Sequence, residues 1–127
     1  MRKNISGTSP YEPIIGFSRA VRVGNVVHLS GTGPAGADDL DVTGQTRRVF
    51  ELAATALAEA GARFEDVVRT RMFLARAEDW EAVGRVHGEF FGVIRPASTM
   101  VVATLLNPAW HVEIEMEAVI PEASKTA

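Results

Sequence analysis

The clearest pattern lies near the end of the chain. In residues 112–119, VEIEMEAV, Val112, Ile114, Met116 and Ala118 alternate with Glu113, Glu115 and Glu117. Side chains change face at every residue of a strand, so this run predicts a strand with one buried face and carboxylates about 7 Å apart on the other. The acidic face is excluded from the dry core of a monomer. It is either a solvated sheet face or a subunit interface or cleft in which one carboxylate handles protons.

Alternation recurs in residues 67–74, where Arg69 and Arg71 side with Val67 and Phe73 and oppose Val68, Thr70, Met72 and Leu74. The short runs 19–23 and 26–30 flank Gly24-Asn25, which reads as a hairpin. Helical spacing takes over from about residue 43 to 60, with Val49, Ala53, Ala56, Leu57 and Ala60 on one stripe. Gly61 suits the left-handed residue that ends a helix. A second helix is predicted from Asp79, a capping residue, through Trp80, Val83, Val86, His87 and Phe90 to a stop at Gly92. Trp80 reads as a core anchor. Arg95-Pro96 opens two closing strands joined by a turn at Asn107-Pro108. Residues 1–13 are polar and punctuated by Pro and Gly, so a loose segment is expected there, and a polar tail over 121–127.

Strand, strand, helix, strand, helix, strand, strand is the order of an α+β fold, one domain over residues 1–127, with both helices on one face of a mixed sheet. If the 67–74 and 112–119 strands are neighbours, Arg69 and Arg71 stand beside Glu115 and Glu117 as cross-strand ion pairs.

Composition narrows the function. The 127 residues suffice to bury roughly two-thirds of the unfolded surface in one domain. With 13 basic and 16 acidic residues, a net charge of -3 and no run of five charges of either sign, nucleic acid is not an expected partner. Cysteine is absent, which excludes disulfides, thiolate metal sites and a cysteine nucleophile. No window approaches a membrane span and no signal-peptide core opens the chain, so a cytoplasmic protein without a membrane partner is expected. His28, His87 and His111 lack metal-ligand spacing, although His111 and Glu113 share a strand face, and no metal is expected. The glycines around Ser30-Gly31-Thr32-Gly33 lack the Lys and Ser/Thr of a P-loop. Ser30 has no nucleophile-elbow surroundings, and its expected work is hydrogen bonding to a ligand or to the neighbouring loop.

A resemblance goes further. The segments RAVRVGN from Arg19, VHLSG from Val27, QTR from Gln45, AEAG from Ala58, DVVRT from Asp66, RPA from Arg95 and VEIE from Val112, in order across residues 16–120, resemble the RidA family, also called YjgF/YER057c/UK114. The resemblance implies a chorismate-mutase-like fold and a homotrimer with ligand clefts between subunits. It also implies hydrolysis of reactive enamines and imines to keto acids and ammonia, without metal or organic cofactor. Carried over by motif, Glu113 corresponds to the glutamate that positions or activates water. Ser30 and Gly31, with its backbone carbonyl, are retained, and Phe17 stands for a family tyrosine. Gly84 replaces a frequent asparagine. Ser98 occupies the place of the arginine that pairs with the substrate carboxylate, and Met100 follows it as a further substrate-binding residue. Arg95 does not replace that arginine: three residues earlier on a strand it would point to the opposite face, about 10 Å away.

Removing one member of a buried charge pair costs about 2–5 kcal/mol, so ordinary α-imino acids are expected to be poor substrates. Two readings stay open. One is a hydrolase or tautomerase of an enamine, imine or related carbonyl compound whose recognised end is neutral. The other is a non-catalytic trimer that binds a small metabolite in the same cleft. Glu113 correspondingly either moves protons or ties subunits together. Burial and its acidic neighbours disfavour its ionisation while a nearby arginine favours it, which leaves the direction of its pKa shift open.

Overall fold

Along the chain the elements are β1 (Arg2–Ile5), β2 (Ala20–Val23), β3 (Val26–Thr32), α1 (Val42–Glu59), β4 (Val67–Leu74), α2 (Trp80–Phe91), β5 (Ala97–Val102) and β6 (Val112–Val119). The structure is a computed structural model and describes residues 1–122. The strands form one six-stranded sheet in the order β1-β2-β3-β6-β4-β5. Only the β4–β5 pair is parallel among the pairings along that order.

The alternation of β6 accounts for its central place. Val112, Ile114, Met116 and Ala118 are at most 1% exposed and join the helices in one core, while the glutamates lie half-buried on the opposite face. β4 lies beside β6 with Arg69 opposite Glu117 and Arg71 opposite Glu115. Arg71 Nη1 donates to Glu117 Oε1 at 2.7 Å and to Glu115 Oε1 at 3.3 Å. The expected cross-strand pairs therefore form. The Asn107-Pro108 turn joins the two closing strands, but β4 lies between them in the sheet.

The first helix buries the stripe that its spacing predicts, whereas α2 buries Val83 and Val86 of its expected stripe but leaves Phe90 37% exposed, with Phe91 in the core instead. In α1, Val49, Phe50, Ala53, Ala56 and Leu57 are buried, and the Asp41 side chain caps the first turn by accepting from Gly44 N at 2.8 Å. Gly61 takes φ +87 just past the end, a conformation costly for other residues. In α2 the buried residues are Val83, Val86 and Phe91.

Four other local expectations are corrected. Trp80 is 60% exposed: it is the first residue of α2, and the core is anchored instead by Phe91. Asp79 makes no capping bond, because its backbone is already helical (φ -83, ψ 0) at the end of a 3-10 turn and its carboxylate accepts from Arg76 at 3.3 Å. A register shift between Val67 and Arg69 puts Val67 in the core and leaves Val68 49% exposed, the reverse of simple alternation. Residues 2–5, within the segment expected to be loose, pair antiparallel with β2, and Ile5 is only 3% exposed opposite Ala20. Burial of that one isoleucine gives an otherwise polar strand a reason to dock. A π-helical turn, Glu12–Gly16, follows. Of the polar tail expected over 121–127, residues 123–127 lie outside the described residues. Among the described residues no helix is long and apolar enough to cross a membrane.

Candidate active site

Glu113 stands on the helix-free face of β6, one residue beyond a bulge in β3. Leu29 pairs with Met116 and Thr32 with Ile114, so β3 has one more residue than β6 across that interval, and Ser30 and Gly31 fall within it. The bulge presses Gly31 against the carboxylate: a Cβ on Gly31 would stand 2.6 Å from Glu113 Oε1. A side chain at residue 31 is opposed by close approach to the Glu113 carboxylate rather than by backbone dihedral.

Arg19 closes the group. Its Nη1 donates to Gly31 O at 3.0 Å and to Thr32 Oγ1 at 3.1 Å, and its Cζ lies 5.6 Å from the centre of the Phe17 ring. Ser30 Oγ donates to Ser18 O at 2.6 Å. Phe17, Ser30, Gly31 and Glu113 are thus gathered around Arg19. The proton of Ser30 and one lone pair of the Gly31 carbonyl are engaged within the chain. Arg19 had not been singled out from the sequence. The signal was present, because Phe17 and Arg19 are two residues apart at the entry to a strand and so share a face.

Burial pushes the Glu113 carboxyl above its usual range, against the attraction of Arg19 and with help from Glu115. Burial likewise lowers the Arg19 pKa, against Glu12 and Glu113. A half-buried carboxyl with a raised pKa beside a guanidinium suits proton transfer at milder pH than an exposed glutamate. Further along the strip, the hydrogen bond from Arg71 holds Glu117 below the usual carboxylate range.

Ser98 and Met100 lie elsewhere. In the parallel β4–β5 ladder, Ser98 is opposite Thr70 and Met100 opposite Met72. Thr70 Oγ1 donates to Ser98 Oγ at 2.8 Å and lies 2.9 Å from His87 Nε2. Thr70 is 0% exposed, His87 half-buried and Ser98 exposed. The His87 ring lies 4.8 Å from the Phe91 ring and 6.2 Å from that of Phe50, and burial lowers its pKa. Gly84 opens space beside Met100: a Cβ there would meet only Met100 Cε, at 3.9 Å. Arg95 precedes β5 with φ 54 and is not part of the strand.

The two groups do not meet within one chain. β3 and β5 are separated by β6 and β4, about 14 Å at ordinary strand spacing. Glu113 is on the open face, whereas Ser98 turns with Thr70 toward the helices. Among the described residues no group of three His, Cys, Asp or Glu is placed to hold a metal ion.

Comparison with known proteins agrees with the motifs. The family model described as Endoribonuclease L-PSP matches residues 7–120. A 2-iminobutanoate/2-iminopropanoate deaminase of Dermatophagoides farinae is 42% identical over 115 residues, 86% of this chain and 89% of that protein. An uncharacterized protein of Streptomyces coelicolor is 39% identical over 121 residues, 91% of this chain and 90% of its own length. The crystal structure of a YjgF/YER057c/UK114 member from Mycobacterium tuberculosis superposes with a TM-score of 0.88 at 41% identity, covering 94% of this chain and 100% of the other. With its fold, its motif order and these matches in agreement, the chain belongs to the Endoribonuclease L-PSP family, the RidA or YjgF/YER057c/UK114 group.

Proposed function

We propose that the protein is a RidA-like hydrolase or tautomerase of small enamines, imines or related carbonyl compounds. In this reading it acts as a cytoplasmic homotrimer whose clefts join the Glu113 group of one subunit to the Ser98 group of the next. The observation that carries it is Glu113 itself, a half-buried carboxyl of raised pKa seated against the Gly31 backbone beside Arg19. The substrate class is supported by the imine deaminase among the relatives. Assembly is supported by the separation of the two groups and by apolar side chains left open, Leu106 at 100%, Ile14 at 76% and Val101 at 44% exposure.

In imine hydrolysis, Glu113 accepts a proton from water as the water oxygen adds to the imine carbon. It returns that proton to the nitrogen to give a carbinolamine, then takes the carbinolamine hydroxyl proton and passes it to the same nitrogen as the carbon–nitrogen bond breaks, giving a carbonyl compound and ammonia. Arg19 favours the ionised carboxylate that begins the cycle. Glu113→Gln keeps shape but removes the base, so turnover of imines generated in situ by an amino acid oxidase should fall about a hundredfold. Unchanged turnover in an intact oligomer would overturn the proposal.

A second reading, a non-catalytic trimer that binds a small metabolite, is favoured by one observation. The Gly31 carbonyl and the Ser30 proton already have partners inside the chain. Saturable binding of keto compounds without turnover would select it. The ribonuclease activity in the family's description draws less support: the net charge is -3, and Arg71 is matched to Glu115 and Glu117 rather than free for phosphate.

A further inference from the structure

His87 is a half-buried titratable group that the chemistry at Glu113 leaves unused. It reaches the sheet edge through two short contacts, His87 Nε2 to Thr70 Oγ1 at 2.9 Å and Thr70 Oγ1 to Ser98 Oγ at 2.8 Å. Thr70 has one hydroxyl proton and gives it to Ser98. With Thr70 as the donor to Ser98, the proton in the Thr70–His87 contact comes from the ring, in the Nε2–H tautomer. Ser98 receives a hydrogen bond from Thr70, so its own proton is free to point outward from an exposed position on the edge strand. Complete burial of Thr70 protects the direction of the chain, because water does not compete for its hydroxyl.

We propose that His87 and Thr70 are positioning residues that hold Ser98 as a hydrogen-bond donor to the ligand, and that this end of the cleft accepts a neutral oxygen such as a ketone, ester or amide carbonyl. The inference rests on the cleft reading above, in which Ser98 meets the ligand. The surroundings of the chain explain why the oxygen is neutral. His87 is faced by Thr70 from β4, Phe50 from α1 and Phe91 from its own helix, and Thr70 by Ser98 from β5. None of these carries a charge, and a single hydroxyl does not repay the desolvation of a carboxylate as a bidentate guanidinium does.

Methyl pyruvate and pyruvate are the neutral-ended and charged-ended probes, titrated by NMR into the full-length oligomeric protein. The parent should bind methyl pyruvate more tightly. Thr70→Val and Ser98→Ala should each weaken that binding about two- to tenfold, the scale of one hydrogen bond, and the double variant should be no weaker than either single one. His87→Gln, which keeps an N–H donor, should bind closer to the parent than His87→Leu does. Independently of any ligand, the ring 15N shifts of His87 should report the Nε2–H tautomer.

A Nδ1–H tautomer, additive losses, a Thr70→Val protein that binds like the parent, or a parent that binds neither probe would each overturn the inference. Should Thr70→Val not fold, the His87 pair and the tautomer still decide the matter. The outcome is separable from that of the hydrolase reading. Loss of turnover in Glu113→Gln with no Ser98 coupling rejects only the donor chain, whereas coupling without an effect of Glu113→Gln rejects only the hydrolase.

Discussion

At the β3–β6 end of the sheet a half-buried carboxyl sits beside a half-buried guanidinium, while at the β4–β5 end a buried Thr70 hydroxyl links the exposed Ser98 to a half-buried imidazole packed against phenyl rings. The difference follows from what packs over each end. The β3 bulge lies on the face without helices, where an opposite charge can compensate for lost water. Ser98, Thr70 and His87 lie on the helix side, where Phe50, Phe64, Phe90 and Phe91 cluster with centroid separations of 4.6–5.8 Å. No counter-charge lies among those rings, so the groups there are best kept neutral. One end is therefore suited to moving protons and the other to presenting a fixed dipole.

The strongest way to break the contrast is to place a charge at the neutral end. Ser98 is exposed and Gly84 leaves room beside Met100, so Ser98→Arg can hold its guanidinium at the cleft edge. A charge-assisted hydrogen bond is worth about 1.5–3 kcal/mol, roughly ten- to a hundredfold in affinity. Turnover of small α-imino acids, made in situ and followed by their decay, should rise by about that factor. A folded, oligomeric variant no faster than the parent would show that Ser98 does not meet the substrate carboxylate.

Next in size is a change that leaves every charge in place and moves one of them. In Gly31→Ala the new methyl would stand 2.6 Å from Glu113 Oε1, the end of a flexible side chain. The carboxylate must swing away while the backbone stays. Misplacing a catalytic group by about 1 Å can cost about a hundredfold, so turnover should drop by about ten- to a hundredfold with little change in the urea midpoint. Equal activity would mean that the carboxylate works from another position.

These residues also show where reading the sequence stops. The alternation in β6, the helical stripe of α1 and the Val83 and Val86 positions of α2 were legible because burial repeats along a single element. Val68, Trp80 and Asp79 were not, since a bulge, a helix start and a preceding 3-10 turn decide their surroundings. β1 was missed because Ile5 is its only core residue. At the site, Phe17, Ser30, Gly31 and Glu113 were proposed from motifs and do gather, but the guanidinium among them came only with the fold. The Ser98–Thr70–His87 chain joins residues 28 and 17 apart through a parallel register that no local pattern encodes.

A smaller perturbation tests how the charged end is tuned. Arg19 favours the ionised form of Glu113, so Arg19→Met should raise the Glu113 pKa further. The base is active above that pKa, and the acid limb of kcat/KM should therefore move to higher pH, with a modest loss at the plateau. A limb that stays in place would mean that Arg19 acts only as a strut for Gly31 and Thr32.

The least expected effect concerns stability at the neutral end. His87→Phe keeps a ring among Phe50 and Phe91 but loses the contact to Thr70, which should cost about 0.5–1.5 kcal/mol, partly offset by apolar burial. Its pH dependence is more informative than its size. Burial lowers the His87 pKa from 6.5 in the folded protein, so below that value the unfolded chain binds a proton that the folded one resists. The parent thus has this contribution in full above pH 6.5 and loses it as pH falls through the lowered pKa. Glu113, with its raised pKa, works in the opposite sense: its contribution is full below its usual 4.5 and disappears as pH rises through its folded value. That background is common to both proteins and cancels in their difference. Urea unfolding of parent and variant at several pH values below 6.5 should show any advantage of the parent shrinking as pH falls. A constant difference would mean that His87 titrates as it does in water, and that the helix side of the sheet is not the neutral environment described here.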